Sequence, residues 1–245
     1  MTAVVFDLLH TLVDPELERP DGFDELAAIA VAVGADESAV RTAWADGCEE
    51  RETTPLEPAD QLAAALRRSG HRIPRTERDE IDRILGVTRD PALLRPDPDI
   101  SALIGEVSSR HRIAVLSNCH EREIRCWPES PLAPFVDEFV ASSRVGSMKP
   151  RIEPYLHTCR LLGADPAGCV FVGNGSSGEL RGAQAAGFGL VVHANHFDRT
   201  NGLVTLEDQR GRATEADVSV QTIHDLRSIL AEPDPVQRRP RPGLR

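Results

Sequence analysis

Short apolar runs recur along the chain, each closed by polar or glycine-rich residues. Val4 to Asp7, Ile113 to Ser117, Glu138 to Ser142, Val170 to Gly173 and Leu190 to His193 read as strands buried on both faces, and Val218 to Val220 as a weaker sixth. Between the later strands the apolar spacing lengthens to that of helices, over Glu153 to Leu162, Ser177 to Ala186 and Thr222 to Leu230. Strand and helix in alternation predict an α/β fold with a doubly wound parallel sheet.

The first interval breaks this rhythm. From Glu16 to Pro98 no strand pattern occurs. Helices are predicted instead at Gly22–Val33, Glu37–Glu50, Pro58–Ser69 and Arg75–Leu85, punctuated by Gly and Pro. About eighty residues exceed what a crossover needs. The expected organisation is therefore a core of residues 1–15 and 99–231, a helical insertion of residues 16–98 over the strand ends, and a Pro- and Arg-rich tail, 232–245, expected to be disordered.

Composition narrows the function. The formal charge of −11 argues against sequence-independent nucleic-acid binding, which needs a basic footprint, but not against a small anionic substrate met in a local cleft. Five cysteines without a CxxC pair suggest neither a disulfide framework nor a zinc site. No stretch reaches the roughly 18 apolar residues of a membrane span, and the start has no signal-peptide pattern, so a soluble, cytoplasmic protein without membrane partners is expected. Of the 28 Lys and Arg residues only Lys149 is lysine. An ammonium is a compact point charge that a planar guanidinium does not replace, which marks Lys149 as required by a site.

Ligands of open α/β sheets collect at the carboxyl ends of the strands. Asp7 follows the first strand, Ser117 and Asn118 the second, Lys149 the third, and the loop Gly173 to Glu179 the fourth. Each alone has an ordinary structural explanation, as turn former, helix cap or strand-to-helix turn. A carboxylate, a hydroxyl, an ammonium and a polar Gly-rich loop at successive strand ends together point to one site.

Phe6-Asp7-Leu8-Leu9-His10-Thr11-Leu12-Val13-Asp14 resembles motif I of the haloacid dehalogenase-like superfamily. Leu116-Ser117-Asn118 resembles motif II, Lys149-Pro150 motif III, and Val172-Gly173-Asn174 through Glu179-Leu180-Arg181-Gly182-Ala183 motif IV. The resemblance runs from Val4 to Leu230 and implies a Rossmann-like core with an inserted helical C1 cap. It implies covalent catalysis by Asp7, assisted by Lys149, with Ser117, Asn118 and Thr11 around the substrate. A cation beside Asp7 would offset its repulsion of an anionic substrate. His10 reads as filling the loop beside the substrate rather than as acid or base. Cys119 and His120 could line the pocket. Arg41, Trp44 and Arg51, placed on one predicted helix, could bind an anionic substrate from above, against the alternative of solvated arginines on an amphipathic helix.

Two departures change the expected chemistry. The family's phosphatases carry a second motif I aspartate as proton donor; here that place is Leu9, which can neither give nor take a proton. Their magnesium-binding motif IV aspartate is here Asn174, with Glu179 as acidic partner. The resemblance implies Mg2+ held by Asp7, the backbone carbonyl of Leu9, Asn174 and Glu179, weakened by the lost negative charge. The superfamily's metal-free 2-haloacid dehalogenases have a similar layout, since halide leaves without a proton. A small-molecule hydrolase using Asp7 on a carbon electrophile or a phosphate ester is the primary expectation. A ligand-binding or partner protein with little turnover, and a biosynthetic enzyme reusing the site, stay open, as does assembly as a homodimer.

Overall fold

A computed structural model describes residues 3–231 and 236, except 69, 199–201 and 203. The predicted strands form in it as β1 (Ala3–Phe6), β2 (Arg112–Ser117), β3 (Glu138–Ala141), β4 (Cys169–Gly173), β5 (Leu190–Ala194) and β6 (Val218–Val220). They make one sheet in the order β3-β2-β1-β4-β5-β6, every pair parallel. This is the doubly wound order, and it reverses direction between β1 and β4.

Period-two alternation sends neighbouring residues of each strand to opposite faces. Val4, Phe6, Ile113, Val115, Val170, Val172, Leu190 and Val192 face one apolar cluster. It is completed by the helices α6 (Pro98–Ser108) and α11 (Ile223–Leu230). Ala3, Val5, Ala114, Leu116, Phe171 and Val191 face the other, against α8 (Ile152–Leu161) and α9 (Glu179–Ala185). Two covered faces explain why the strands read as unbroken apolar runs. α6 was not among the predicted helices; Asp97 starts it by accepting from the amides of Asp99 and Ile100. Of the expected disordered tail only Val236 is described, and it packs on the first cluster; its other residues lie outside the described set.

Between β1 and β2 no strand forms among the described residues. The helices there are α1 (Glu25–Val33), α2 (Glu37–Asp46), α3 (Cys48–Thr53), α4 (Pro58–Arg68) and α5 (Arg75–Leu94). They bury a third apolar cluster of their own, including Ile29, Leu62, Leu66, Ile81 and Leu85. Two predicted boundaries are corrected. The helix expected over Glu37–Glu50 is broken at Gly47, so Arg51 stands on α3 and not with Arg41 and Trp44 on α2. The helix expected to stop at Leu85 continues through Pro91 to Leu94, because Ala92 and Leu93 are buried in the sheet's first cluster. That burial offsets the roughly 3 kcal/mol a proline costs inside a helix. α5 thus ties the helical segment to the sheet. Gly86 leaves room there for the buried Arg122, which forks onto Asp90 with both contacts at 2.6 Å.

Candidate active site

The strand ends that converge in sequence also converge in space. Phe6 pairs with Val172, so Asp7 and Gly173 leave the sheet side by side, and the Asp7 amide donates to the Val172 carbonyl at 2.8 Å. Beyond Asp7 the chain turns tightly: the amides of Leu12 and Val13 both donate to the Leu8 carbonyl, and His10 takes a left-handed φ of 60°. The turn returns the Thr11 hydroxyl to Asp7 Oδ2 at 3.1 Å. After β4, Gly175 at φ 85° and Gly178 at φ 67° curl the loop so that α9 opens on Glu179 rather than on Ser177 as predicted. The Gly175 amide donates to Glu179 Oε1 at 3.0 Å.

Lys149 closes the arrangement. Its ammonium donates to Asp7 Oδ1 at 2.5 Å and to Glu179 Oε2 at 2.5 Å. All three are buried: Lys149 is 2 % exposed, Asp7 5 % and Glu179 0 %. Asn118 clamps the lysine's backbone from both sides, accepting from the Lys149 amide and donating to its carbonyl, each at 2.8 Å. Both polar atoms of Asn118 are thereby spent on positioning Lys149. Ser117 is buried at the end of β2, beside β1.

Electrostatics follow from this packing. Burial disfavours the Lys149 ammonium, but Asp7 and Glu179 on either side outweigh it and hold the lysine charged, above its ordinary range. Glu179 is pushed up to about 7, first by burial and then by the Asp7 charge, with Lys149 and the Gly175 amide pulling the other way. His10 is bonded through Nδ1 to the buried Asp14 at 3.0 Å. Its burial lowers the ring's proton affinity, yet Asp14, helped by Asp198 and Asp7, raises it overall.

The donor set implied for a metal is a poor fit to a hard divalent cation. Lys149 occupies the gap between the two carboxylates, and each of their four oxygens already accepts from Lys149, Thr11 or the Gly175 amide. Asn174 turns its Oδ1 to the Ser176 amide at 3.1 Å and its amide nitrogen to Asp198 at 3.4 Å. Leu9, whose carbonyl was the remaining ligand, packs its side chain on the sheet's first apolar cluster. Among the described residues no group of three or more His, Cys, Asp or Glu side chains is placed to hold a metal ion.

A family model for haloacid dehalogenase-like hydrolases matches residues 1–187. The chain belongs to this family. A glyceraldehyde 3-phosphate phosphatase of Methanothermobacter thermautotrophicus is 32 % identical over 105 residues, 41 % of this chain and 46 % of that relative, so the match spans about half of the relative's length. Among solved structures, the L-2-haloacid dehalogenase of Xanthobacter autotrophicus superposes with a TM-score of 0.59 at 19 % identity, covering 94 % of this chain and 98 % of that one. A HAD phosphatase of Thermococcus onnurineus gives 0.61 at 19 % identity over 94 % and 98 %. At these identities the structural likeness shows the fold alone.

The helical segment of this family member separates the residues expected to reach the substrate. Arg41 lies on the exposed side of α2, held by Asp24 at 2.6 Å and Glu37 at 2.8 Å. Arg51 is buried, its guanidinium 3.7 Å over the Trp44 ring. It lines a cavity of about 260 Å³ between α1, α2, α3, α5 and the loop after β2 that carries His120. A larger cavity of about 530 Å³ lies among α2, α3 and α4 and is also lined by Arg51; Asp7, Lys149 and Glu179 line neither cavity. Three supporting residues had no signal in the sequence. Tyr155 donates to the Glu179 carbonyl at 2.7 Å, and Arg212 joins the buried Asp198 at 2.9 Å to the Asn174 carbonyl at 3.1 Å. Only the sheet order brings α8 and α10 (Leu206–Ala213) to this edge. His193 bonds the Ser219 hydroxyl at 2.9 Å, and His196 bonds the Thr11 carbonyl at 3.0 Å. Among the described residues no helix is long and apolar enough to cross a membrane.

Proposed function

We propose that this hydrolase attacks a carbon electrophile with the Asp7 carboxylate, without a metal, in the manner of a dehalogenase. The observation that carries this reading is the buried Asp7–Lys149–Glu179 array beside an apolar Leu9. A carboxylate is a weak nucleophile, useful when desolvated and aimed. Thr11 and Lys149 fix the two oxygens of Asp7, and Lys149 offsets the repulsion of an anionic substrate. In the first step an Asp7 oxygen forms a bond to the substrate carbon as the carbon–halogen bond breaks, and halide leaves with the electron pair. No proton is needed, so Leu9 is no handicap. In the second step water adds to the carbonyl carbon of the Asp7 ester, the alcohol departs, and a proton passes to solvent as the carboxylate is regenerated. In this reading Ser117 donates to substrate oxygens, and the helical segment covers the site as a cap.

The test is a single turnover in heavy-oxygen water with a chlorinated carboxylic acid. Halide release should be lost in Asp7→Asn at unchanged thermal midpoint, and the label should enter the Asp7 peptide before the product. Halide release by a folded Asp7→Asn protein sinks the covalent mechanism. The partial match to a phosphatase supports a second reading, attack on a phosphate ester through an acyl phosphate on Asp7. Phosphate release from glyceraldehyde 3-phosphate without halide release would favour it, and release of neither would point to a ligand-binding role.

A further inference from the structure

The cavity beneath the helical segment contains an unbalanced pair of charges. Arg89 serves two of its carboxylates, approaching Glu25 at 3.3 Å and Glu123 at 3.5 Å. Arg51 and Glu52, neighbours on α3, line the same cavity without such service. Arg51 is 5 % exposed, yet among the described residues no carboxylate lies within 4 Å of it. One of its N–H groups donates to the Trp44 carbonyl at 2.9 Å, the ring stacks beneath it, and its buried Nε has no partner. A guanidinium has five N–H donors, so most of its capacity is unused. Arg122, equally buried, shows the contrast: it is fully forked onto Asp90. Glu52 has the Cys48 thiol at 3.6 Å and, among the described residues, no cation within 4 Å.

The unpaired buried charge of Arg51 costs several kcal/mol unless something supplies its partner, and the half-buried Glu52 stands next to it on α3. A purely anionic ligand would satisfy Arg51 and be repelled by Glu52; a purely cationic one would do the reverse. Arg51 and Glu52 do not pair with each other, and a neutral ligand would leave both uncompensated. We propose that this cavity binds the zwitterionic head of an α-amino acid, with its carboxylate on Arg51 and its ammonium on Glu52, so that the substrate is an amino acid bearing the leaving group on its side chain. The inference rests on the Asp7 reading for what happens at the other end of that substrate. His120, in the wall of this cavity, follows by two residues Asn118, whose side chain holds the Lys149 backbone at the strand-end site.

Product-side probes test recognition independently of the leaving group. Isothermal titration of the protein with L-serine, glycerate and ethanolamine compares the complete head with analogues lacking the ammonium or the carboxylate. L-Serine should bind at least about tenfold more tightly than either, a gap of about 1.4 kcal/mol. Glu52→Gln should abolish the serine-over-glycerate preference and keep the serine-over-ethanolamine one, and Arg51→Gln should do the converse. Loss of folding would weaken all three probes together and could not produce that crossed pattern. Equal binding of serine and glycerate by the wild type, or no serine binding at about 20 mM, overturns the proposal. Halide release from 3-chloro-L-alanine and 3-chlorolactate separates the two ideas. Equal release from both would overturn the zwitterion site and leave the Asp7 chemistry standing, whereas serine preference without any release would do the opposite.

Discussion

Replacing Lys149 with methionine probes the site through stability as well as activity. The ammonium sits 2.5 Å from Asp7 Oδ1 and 2.5 Å from Glu179 Oε2, so those oxygens are at most about 5 Å apart. Methionine keeps most of the stem and deletes the charge, and at 2 % exposure water has little room to take its place. Two like charges at that separation repel by about 3 kcal/mol at an effective dielectric of about 20. Removing one partner of a buried ion pair costs about 3–5 kcal/mol, so the two routes agree. The variant can escape by protonating Glu179, already pushed up to about 7 from 4.5. A carboxyl raised in the folded state contributes stability that is present below its unfolded value and lost as pH rises through the folded one. Without Lys149 that folded value climbs further. The loss should therefore be about 3 kcal/mol near pH 8 and clearly smaller near pH 5.5, where Glu179 holds its proton in both proteins. Urea unfolding followed by circular dichroism at the two pH values measures it. A loss below about 1 kcal/mol near pH 8, or an equal loss at both, would refute the claim that Lys149 neutralises both carboxylates.

Further tests bear on the metal, on the identity of the cation and on the anchor of α5. Lys149→Arg keeps the charge but not the shape, and turnover should fall at least about tenfold; an unchanged rate would make the lone lysine incidental. Chelation of divalent metal should leave halide release unchanged, whereas Leu9→Asp with Asn174→Asp should create magnesium-dependent hydrolysis of a generic phosphate ester, read as phosphate release with and without magnesium. A Cβ on Gly86 would stand 1.6 Å from an Arg122 guanidinium nitrogen and 2.4 Å from an Asp90 oxygen. Gly86→Ala should destabilise by about 3 kcal/mol in denaturant titration, since displacing the buried pair outweighs the roughly 1 kcal/mol that alanine gains in helix propensity.

How far the sequence reveals this protein depends on the length scale of the interaction involved. The strands were readable because burial on both faces demands an apolar residue at every position, and all six lie within a residue or so of their predicted places. Asp7, Lys149 and Glu179 were readable because parallel strands deliver their carboxyl ends to one edge whatever the loops between them do. Breaks set by tertiary packing were not. Gly47 ends α2 where the pattern runs on, and α5 passes through Pro91 because residues far away in sequence bury Ala92 and Leu93.

The difference is sharpest among the arginines. In a chain that uses arginine at 27 of its 28 Lys and Arg positions, no local pattern separates Arg41 from Arg51, and the sequence groups them on one helix. The fold gives one to solvent with two carboxylates and encloses the other with none among the described residues. Composition could single out Lys149 because lysine is rare here, and rarity can be counted. What singles out Arg51 is the absence of a neighbouring anion, which is a property of the assembled cavity. Its chemical meaning lies in whatever ligand supplies that anion.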